Sequence, residues 1–253
     1  MSKVYFVGAG SGAVDLITVR GKSLLEKADV VIYAGSLVNP ELLNYAKENC
    51  EVHDSAKMTL DEVIDTSKKA IIENKMVVRL HTGDPSLYGA IREQMDRLAA
   101  LNIGYEVCPG VSSFSAAAAA LKAEYTLPGV SQTVIISRAA GRTPVPDDES
   151  IRSLAQHQAT MVLFLSTGLL ENVSKDLIAG GYAPDTPAAI VYKASWQDEK
   201  IVRCDVGTLA KCAVDNGITK TALVCVGSFL GHDYELSRLY APDFSTEFRE
   251  AKK

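Results

Sequence analysis

The chain is poor in the residues that metal centres and disulfide frameworks need. Its 253 residues hold four histidines (His53, His81, His157, His232) and five cysteines (Cys50, Cys108, Cys204, Cys212, Cys225). The histidines show no HxxxH spacing and no Cys/His clustering, so spacing offers no metal site. The cysteines are odd in number, widely spaced and without CxxC, and read as buried or free thiols of a reducing cytoplasm. No apolar run reaches the ~18 residues that a bilayer span needs. The opening MSKVYFVGAG runs directly into a strand pattern, so no secretory signal is expected. Basic residues are in deficit, 26 against 31 acidic, for a net charge of −5. That balance argues against a general polyanion-binding surface and leaves room for a local basic pocket. No Ser-His-Asp or Cys-His constellation offers a strong nucleophile.

What remains is an ordinary globular composition, 47% apolar and 23% charged. The length allows one large domain or two of about 125 residues. Strand patterns at Val4–Gly8, Val30–Tyr33, Glu51–His53, Val77–His81 and Tyr105–Cys108 alternate with helical ones. The latter lie near Leu16–Ala28, Pro40–Lys47, Thr59–Glu73, Ser86–Ala100 and Ser112–Ala123. This alternation implies βαβ units and a mainly parallel sheet. Pro128-Gly129 interrupts it within Tyr125–Val130, which reads as a hinge. A second α/β pattern follows. Its strands are expected at Thr133–Ser137, Thr160–Leu165, Ala188–Tyr192, Lys200–Cys204 and Ala222–Val226. Its helices are expected at Glu149–His157, Leu169–Ala179 and Thr208–Asn216. The fold class is therefore α/β, as two α/β domains, 1–125 and 126–253, with a ligand cleft between them as the default site. Gly141–Glu149 reads as a polar, proline-bearing loop able to act as a mobile cover, and the tail after Gly231 as surface-laid.

The most informative stretch is Val77–Ala90, VVRLHTGDPSLYGA. An apolar strand stops at Gly83-Asp84-Pro85 and a helical pattern begins at Ser86. Strand carboxyl ends that feed a loop and a helix are where open α/β sheets hold small ligands. The same residues also suit a helix start, with Asp84 or Ser86 as N-cap and Pro85 in the first turn. His81 reads as a strand-end residue that orients the loop.

The segment Gly8-Ala9-Gly10-Ser11-Gly12-Ala13 matches a dinucleotide-binding G-x-G-x-x-G/A pattern. That chemistry requires an acidic residue at the end of the second strand to hold a ribose. The second strand ends in Ala34-Gly35-Ser36, and Asp29 precedes it, at the wrong end. The loop reads instead as a turn, either structural or bringing backbone close to another ligand.

Four segments together, VYFVGAGSGAVDLITVRG, HTGDPSLYG, CPGVSSFSAAAAAL and TALVCVG, resemble the tetrapyrrole (corrin/porphyrin) methyltransferase family. Four more, AGRTPVP, YKASWQDEKIVR, KTALVCVGSFLG and SRLYAPDF, narrow the resemblance to one branch, in cobalamin biosynthesis. The likeness spans Val4 to about Phe248. It implies two α/β domains, a homodimer, and methyl transfer from S-adenosylmethionine (SAM) to a ring carbon of a tetrapyrrole. The donor is expected on Gly83, Asp84, Leu87 and Tyr88, on Ser112, Ser113 and Phe114, and on Leu165, Ser166, Ala194, Thr221 and Ala222. The glycine-rich loop, with Gly10, Ser11 and Gly12, is expected to face the tetrapyrrole. Here it departs from the common GAGPGDP: Ser11, Ala13 and Val14 stand for proline, aspartate and proline. A looser loop is expected, and no role of the missing aspartate carries over.

The methyl group of a sulfonium is already activated, so direct in-line displacement needs alignment more than a nucleophilic side chain. The acetate and propionate groups of the macrocycle need cations, forked guanidiniums best. Candidates are Arg138, Arg142 and Lys193, with Arg20 beside them, and Arg142 leads because it lies in the AGRTPVP loop. Tyr88 and Phe114 suit either adenine packing or a core role. Trp196, the single tryptophan, is expected to pack a turn near Ala194, where its fluorescence would report a ligand. No metal and no nucleic-acid partner are expected. Rival readings are a sibling acting at another ring carbon, a methylase of RNA or of a protein histidine, a noncatalytic tetrapyrrole carrier, and, weakest, an NAD-dependent oxidoreductase.

Overall fold

The computed structural model describes residues 2–251. The chain forms two compact units. One comprises the chain up to Ala116 together with Lys193–Asp198. The other comprises Ala117–Tyr192 and the chain from Glu199 onward.

In the first unit five strands, β1 (Val4–Gly8), β2 (Val30–Tyr33), β3 (Glu51–Asp54), β4 (Val77–His81) and β5 (Tyr105–Cys108), form one sheet in the order β3-β2-β4-β1-β5. Every pairing in it is parallel. Its central strands bury both faces, which is why they read as continuous apolar runs. One face carries Val7, Val31, Val78 and Leu80 against Leu25 of α1 (Val19–Lys27) and Leu42. The other carries Val4, Phe6, Ile32 and Val77 against Val63 and Ile64 of α2 (Leu60–Ile72) and Leu98 of α3 (Arg92–Ala100). Caps fix where helices begin. The Thr18 hydroxyl accepts the N–H of Gly21, and Thr59 and Glu62 form a reciprocal capping box.

β1 lies between β4 and β5, in register Val4↔Val77 and Val4↔Tyr105. The chain leaving β1 runs on to β2, whereas the chain leaving β4 runs on to β5, on the other side of β1. This reversal is a topological switch point, and the loops after β1, β4 and β5 open beside one another there.

The second unit is a mixed sheet. Its strands are β6 (Val134–Arg138), β7 (Thr160–Phe164), β8 (Pro187–Tyr192), β9 (Lys200–Asp205) and β10 (Ala222–Val226), ordered β6-β7-β10-β8-β9. Only β6 and β7 pair in parallel. One face packs Met161, Leu163, Ile190, Val224 and Val226 against α5 (Ile151–Ala155), α6 (Leu170–Ala179) and α7 (Leu209–Asp215). On the other face Tyr125 contacts the Cys225 thiol and meets Phe229 edge-on at 5.1 Å. The division between units falls within α4 (Ser113–Leu121).

Local differences from the sequence reading have physical causes. The helix expected over Leu16–Ala28 begins only after Thr18, and a 3₁₀ turn, Val14–Leu16, precedes it. Pro40–Tyr45 is 3₁₀ and not α-helical: Asn39 caps it by accepting from Glu41 N–H, and the turn tightens over six residues. The helix expected from Ser86 starts six residues later, at Arg92. Tyr88 (φ +56°) and Ala90 (φ +49°) are left-handed, which no continuing α-helix tolerates. Asp84 and Ser86 therefore do not cap α3; Ile91 holds that position.

Candidate functional site

At the switch point the loops after β1 and β4 are joined backbone to backbone, and the Asp84 side chain ties in the loop after β5. After β1, Ala9 N–H donates to His81 C=O at 2.7 Å, and Gly10 and Gly83 exchange both backbone bonds, at 3.3 and 2.8 Å. A Cβ on Gly8 would lie 2.5 Å from Gly110 Cα and 2.6 Å from Gly83 C=O, so only glycine permits this approach. Gly83 turns at φ +59°. The Asp84 carboxylate accepts N–H bonds from Ser86 and Gly110, each at 2.8 Å, and also the Ser86 hydroxyl. Burial opposes ionisation of Asp84, yet the bonds from Ser86 and Gly110 hold its carboxyl below the usual carboxylate range.

Beneath this loop lies His81, 4% exposed, its Nε2 without a hydrogen-bond partner. Burial, with the neighbouring Arg79, pushes its pKa down to about 3, so the ring is neutral at neutral pH. Its ring lies 6.0 Å from that of Phe6. Arg79, also buried, donates to Gln94 Oε1 at 3.2 Å and Ile32 C=O at 3.0 Å, and Gln94 donates to Ala90 C=O. The left-handed segment is thus tied to β2 and β4 through two buried polar side chains.

Of the residues expected to hold a methyl donor, Gly83, Tyr88, Leu165 and Thr221 have left-handed backbone. In the first unit Tyr88 is left-handed and 45% exposed, Ser112 is buried just ahead of α4, and Ser113 and Phe114 open that helix. Leu87 closes the turn from Asp84, and Ala194 is buried. In the second unit Leu165 (φ +52°) and Thr221 (φ +58°) are left-handed, and Leu165 is 67% exposed. The Ser166 hydroxyl is committed to its own fold, donating to Phe164 C=O and accepting Ala139 N–H. The Ala222 carbonyl accepts the Thr167 hydroxyl. Left-handed backbone at non-glycine residues costs energy and persists only where the surroundings over-determine it.

On the other side of Gly10 the structure corrects an expectation. The Ser11–Ala13 stretch is held firmly. Ser11 is buried and its Oγ lies 2.8 Å from Ser195 Oγ, which also accepts Ala13 N–H at 3.1 Å. Trp196 Nε1–H donates to Ser11 C=O at 3.0 Å, and Asn39 donates to Gly12 C=O at 2.9 Å. Gly12 lies under the indole, where a Cβ would fall 2.1 Å from Trp196 Cδ1. These bonds replace the stiffness that a proline would supply. Beside the loop is a cavity of about 670 Å³, walled in part by Gly12, Asp15, Asn39, Tyr45 and Trp196.

The expected cations are not equivalent. Arg138 is spent on its own loop, donating to Thr143 C=O and Pro144 C=O at 3.2 and 2.7 Å. Lys193 is ion-paired with Asp198 at 2.6 Å and lies over the Trp196 ring. Arg142 and Arg20 are exposed. Asp29 sits at the amino end of β2, paired with Lys47 and accepting Met76 N–H, too far along the strand to serve a ribose at the other end. Among the described residues no three His, Cys, Asp or Glu side chains gather as a metal site, the five cysteines are free thiols, and no helix is long and apolar enough to cross a membrane.

Sequence reasoning did not single out Gly110, Asn39 or Ser195. Pro-Gly is a turn signal and was available at Pro109-Gly110, but it is the parallel pairing of β5 with β1 that brings Gly110 to the loop it holds.

Glycine-welded loops at the switch point of a parallel sheet, with a mixed second sheet, define a small-molecule-binding α/β protein. The chain belongs to the tetrapyrrole (corrin/porphyrin) methylases, whose family model matches residues 3–210. It is 54% identical to the cobalt-precorrin-4 C(11)-methyltransferase of Methanocaldococcus jannaschii over 252 residues, 99% of this chain and 97% of that protein. The X-ray structure of a cobalt precorrin-4 methyltransferase superposes with a TM-score of 0.89 at 50% identity, covering 91% of this chain and 96% of the other. The uroporphyrin-III C-methyltransferase of Thermus thermophilus, solved with S-adenosyl homocysteine, gives 0.74 at 26% identity, covering 90% and 93%.

Proposed function

We propose that this chain is a SAM-dependent C-methyltransferase that methylates ring carbon 11 of precorrin-4, in its cobalt-bearing or metal-free form, in cobalamin biosynthesis. The observation that carries this reading is the end-to-end likeness to the Methanocaldococcus jannaschii cobalt-precorrin-4 C(11)-methyltransferase. The likeness to a relative solved with S-adenosyl homocysteine supports the choice of donor.

The residues present suit such a donor. Tyr88 in the first unit and, separately, Leu165 in the second are exposed and left-handed, backbone of a kind that concentrates at functional sites. SAM supplies a methyl group already activated by its sulfonium. The protein's task is then to bind and orient, an effect worth ~7–11 kcal/mol in favourable cases. In the first unit we assign donor contacts to Gly83, Asp84, Leu87, Tyr88, Ser112, Ser113, Phe114 and Ala194. In the second we assign them to Leu165, Ser166, Thr221 and Ala222. Asp84 shapes its loop through Ser86 and Gly110 and leaves backbone groups to face the donor. Ser166 contributes backbone, since its hydroxyl is occupied.

For the tetrapyrrole we assign Gly10, Ser11 and Gly12 as backbone contacts and Arg142 as the leading carboxylate partner. Arg138 orders the Arg142 loop, and Lys193 reaches a substrate carboxylate only by leaving Asp198. We also infer a homodimer working in a reducing cytoplasm. The free thiols support that compartment, and light scattering tests the dimer.

The deciding experiment is incubation with methyl-labelled SAM and cobalt-precorrin-4 or precorrin-4, with mass spectrometry and NMR of the product. One label at carbon 11 is expected. A label at another carbon would reassign the chain to a sibling activity. Retention of the tetrapyrrole without transfer would make it a carrier.

A further inference from the structure

We propose that Ser11 and Trp196 are positioning residues for the tetrapyrrole, acting by fixing the backbone of the Gly10–Ala13 loop. The proposal rests on the functional reading above and extends it to the side chains of Ser11 and Trp196, which act on the loop's backbone and need touch neither reactant.

The loop has three consecutive residues held from outside by side chains. Ser11 C=O accepts from Trp196 Nε1–H, Ser11 Oγ pairs with Ser195 Oγ, Gly12 C=O accepts from Asn39, and Ala13 N–H donates to Ser195 Oγ. Such density of side-chain bonds on a short glycine-bearing turn exceeds what closing the turn requires. The preceding Gly10 is already fixed by its paired bonds to Gly83. The turn that supplies two of these partners is itself held in costly backbone, with Lys193 at φ +46° and Ser195 at φ +68°. Strain of that kind persists only where the surroundings over-determine it, and it concentrates at functional sites. The indole also sets a steric floor: nothing larger than glycine fits at residue 12 beneath it. Ser11 C=O and Gly12 C=O both spend acceptor capacity on these clamps, so the loop presents one fixed surface beside its cavity. Alignment is the main lever in a displacement that uses no protein nucleophile, so a loop free to shift would lower the rate without lowering donor affinity.

The test uses Ser11→Ala, Trp196→Phe and the double variant. Trp196→Phe keeps an aromatic ring over Gly12 and removes only the N–H donor. The measurements are kcat and KM for cobalt-precorrin-4, the Kd for S-adenosylhomocysteine by titration calorimetry, and the emission of Trp196, the chain's only tryptophan, in the wild type and in Ser11→Ala. Each single variant is expected to lower kcat/KM for the tetrapyrrole about tenfold, as loss of one well-placed hydrogen bond allows. The double variant should lose little more than either single, because both act through one backbone segment. S-adenosylhomocysteine affinity should stay within about twofold of wild type. Trp196 emission should respond to the tetrapyrrole in the wild type and respond less in Ser11→Ala. If the wild type transfers methyl and both single variants keep its kcat/KM, the positioning role is wrong while the functional reading stands. An equal fall in S-adenosylhomocysteine affinity would also overturn it, as a sign of general disruption. If the wild type methylates no tetrapyrrole, the functional reading falls and takes this proposal with it.

Discussion

Asp84, in the loop after β4, accepts the backbone N–H of Gly110, after β5, at 2.8 Å. One carboxylate therefore links two strand ends that are not neighbours in the sheet, since β1 lies between them. Through Ser86 it also sets the turn that carries Leu87 and Tyr88. Asp84→Ala should release both constraints. We expect S-adenosylhomocysteine affinity to fall about tenfold or more, in line with the loss of charge-assisted hydrogen bonds. Unchanged binding in equilibrium titration would remove this loop from the donor site.

The close approach of Gly8 to Gly110 makes a separate prediction about stability. A methyl on Gly8 meets Gly110 Cα and Gly83 C=O, which are backbone and have no rotamer to yield. Gly8→Ala should cost about 1–3 kcal/mol and lower the melting midpoint by several degrees. Gly168→Ala is the control, because a Cβ there meets nothing within 4 Å. Equal midpoints for the two variants would contradict the welded-loop geometry.

His81 predicts an acid dependence. Its pKa is about 3 in the fold against 6.5 as the ordinary value, so between those limits the unfolded chain binds the extra proton. The stability conferred by a neutral, buried His81 is thus complete above pH 6.5 and is lost as pH falls toward 3. The slope from one such group is about 1 kcal/mol per pH unit. His81→Phe should flatten the decline measured by urea unfolding between pH 7 and pH 5. An identical decline in the variant would assign acid sensitivity to other groups.

Two arginines close together in sequence should behave differently. Arg142→Ala should weaken tetrapyrrole binding and leave S-adenosylhomocysteine binding intact, as calorimetry with each ligand would show. Arg138→Ala removes the donors that hold Thr143 C=O and Pro144 C=O, and should make the Arg142 loop more sensitive to limited proteolysis. Equal loss of both ligands in Arg142→Ala would argue against a substrate contact.

Most of the fold was legible because its strands are short apolar runs bounded by turn residues. β1, β2, β4, β5 and β10 coincide with their expected limits. The GDP loop was legible as a site but not as a shape. The helical pattern from Ser86 is real in composition, yet Asp84 satisfies Ser86 and Gly110 locally and the chain enters left-handed backbone at Tyr88. No single-residue preference announces that, because tyrosine and alanine rarely adopt such φ values. The glycine-rich loop was misjudged for a different reason. Its missing proline was visible, but the hydrogen bonds that stiffen it come from Ser195 and Trp196, 184 and 185 residues away from Ser11. Mixed pairing in the second sheet was likewise beyond reach, since strand periodicity carries no direction.

That separation has a consequence for synthesis. The first unit includes Lys193–Asp198, so it cannot be completed when its own first 116 residues have left the ribosome. At the usual pace of translation the Ser11–Ala13 turn waits on the order of ten seconds or more for its serine and indole partners. A nascent chain stalled before residue 195 would carry the parallel sheet with an unclasped glycine turn, a state open to chaperones or proteases that the finished protein no longer offers.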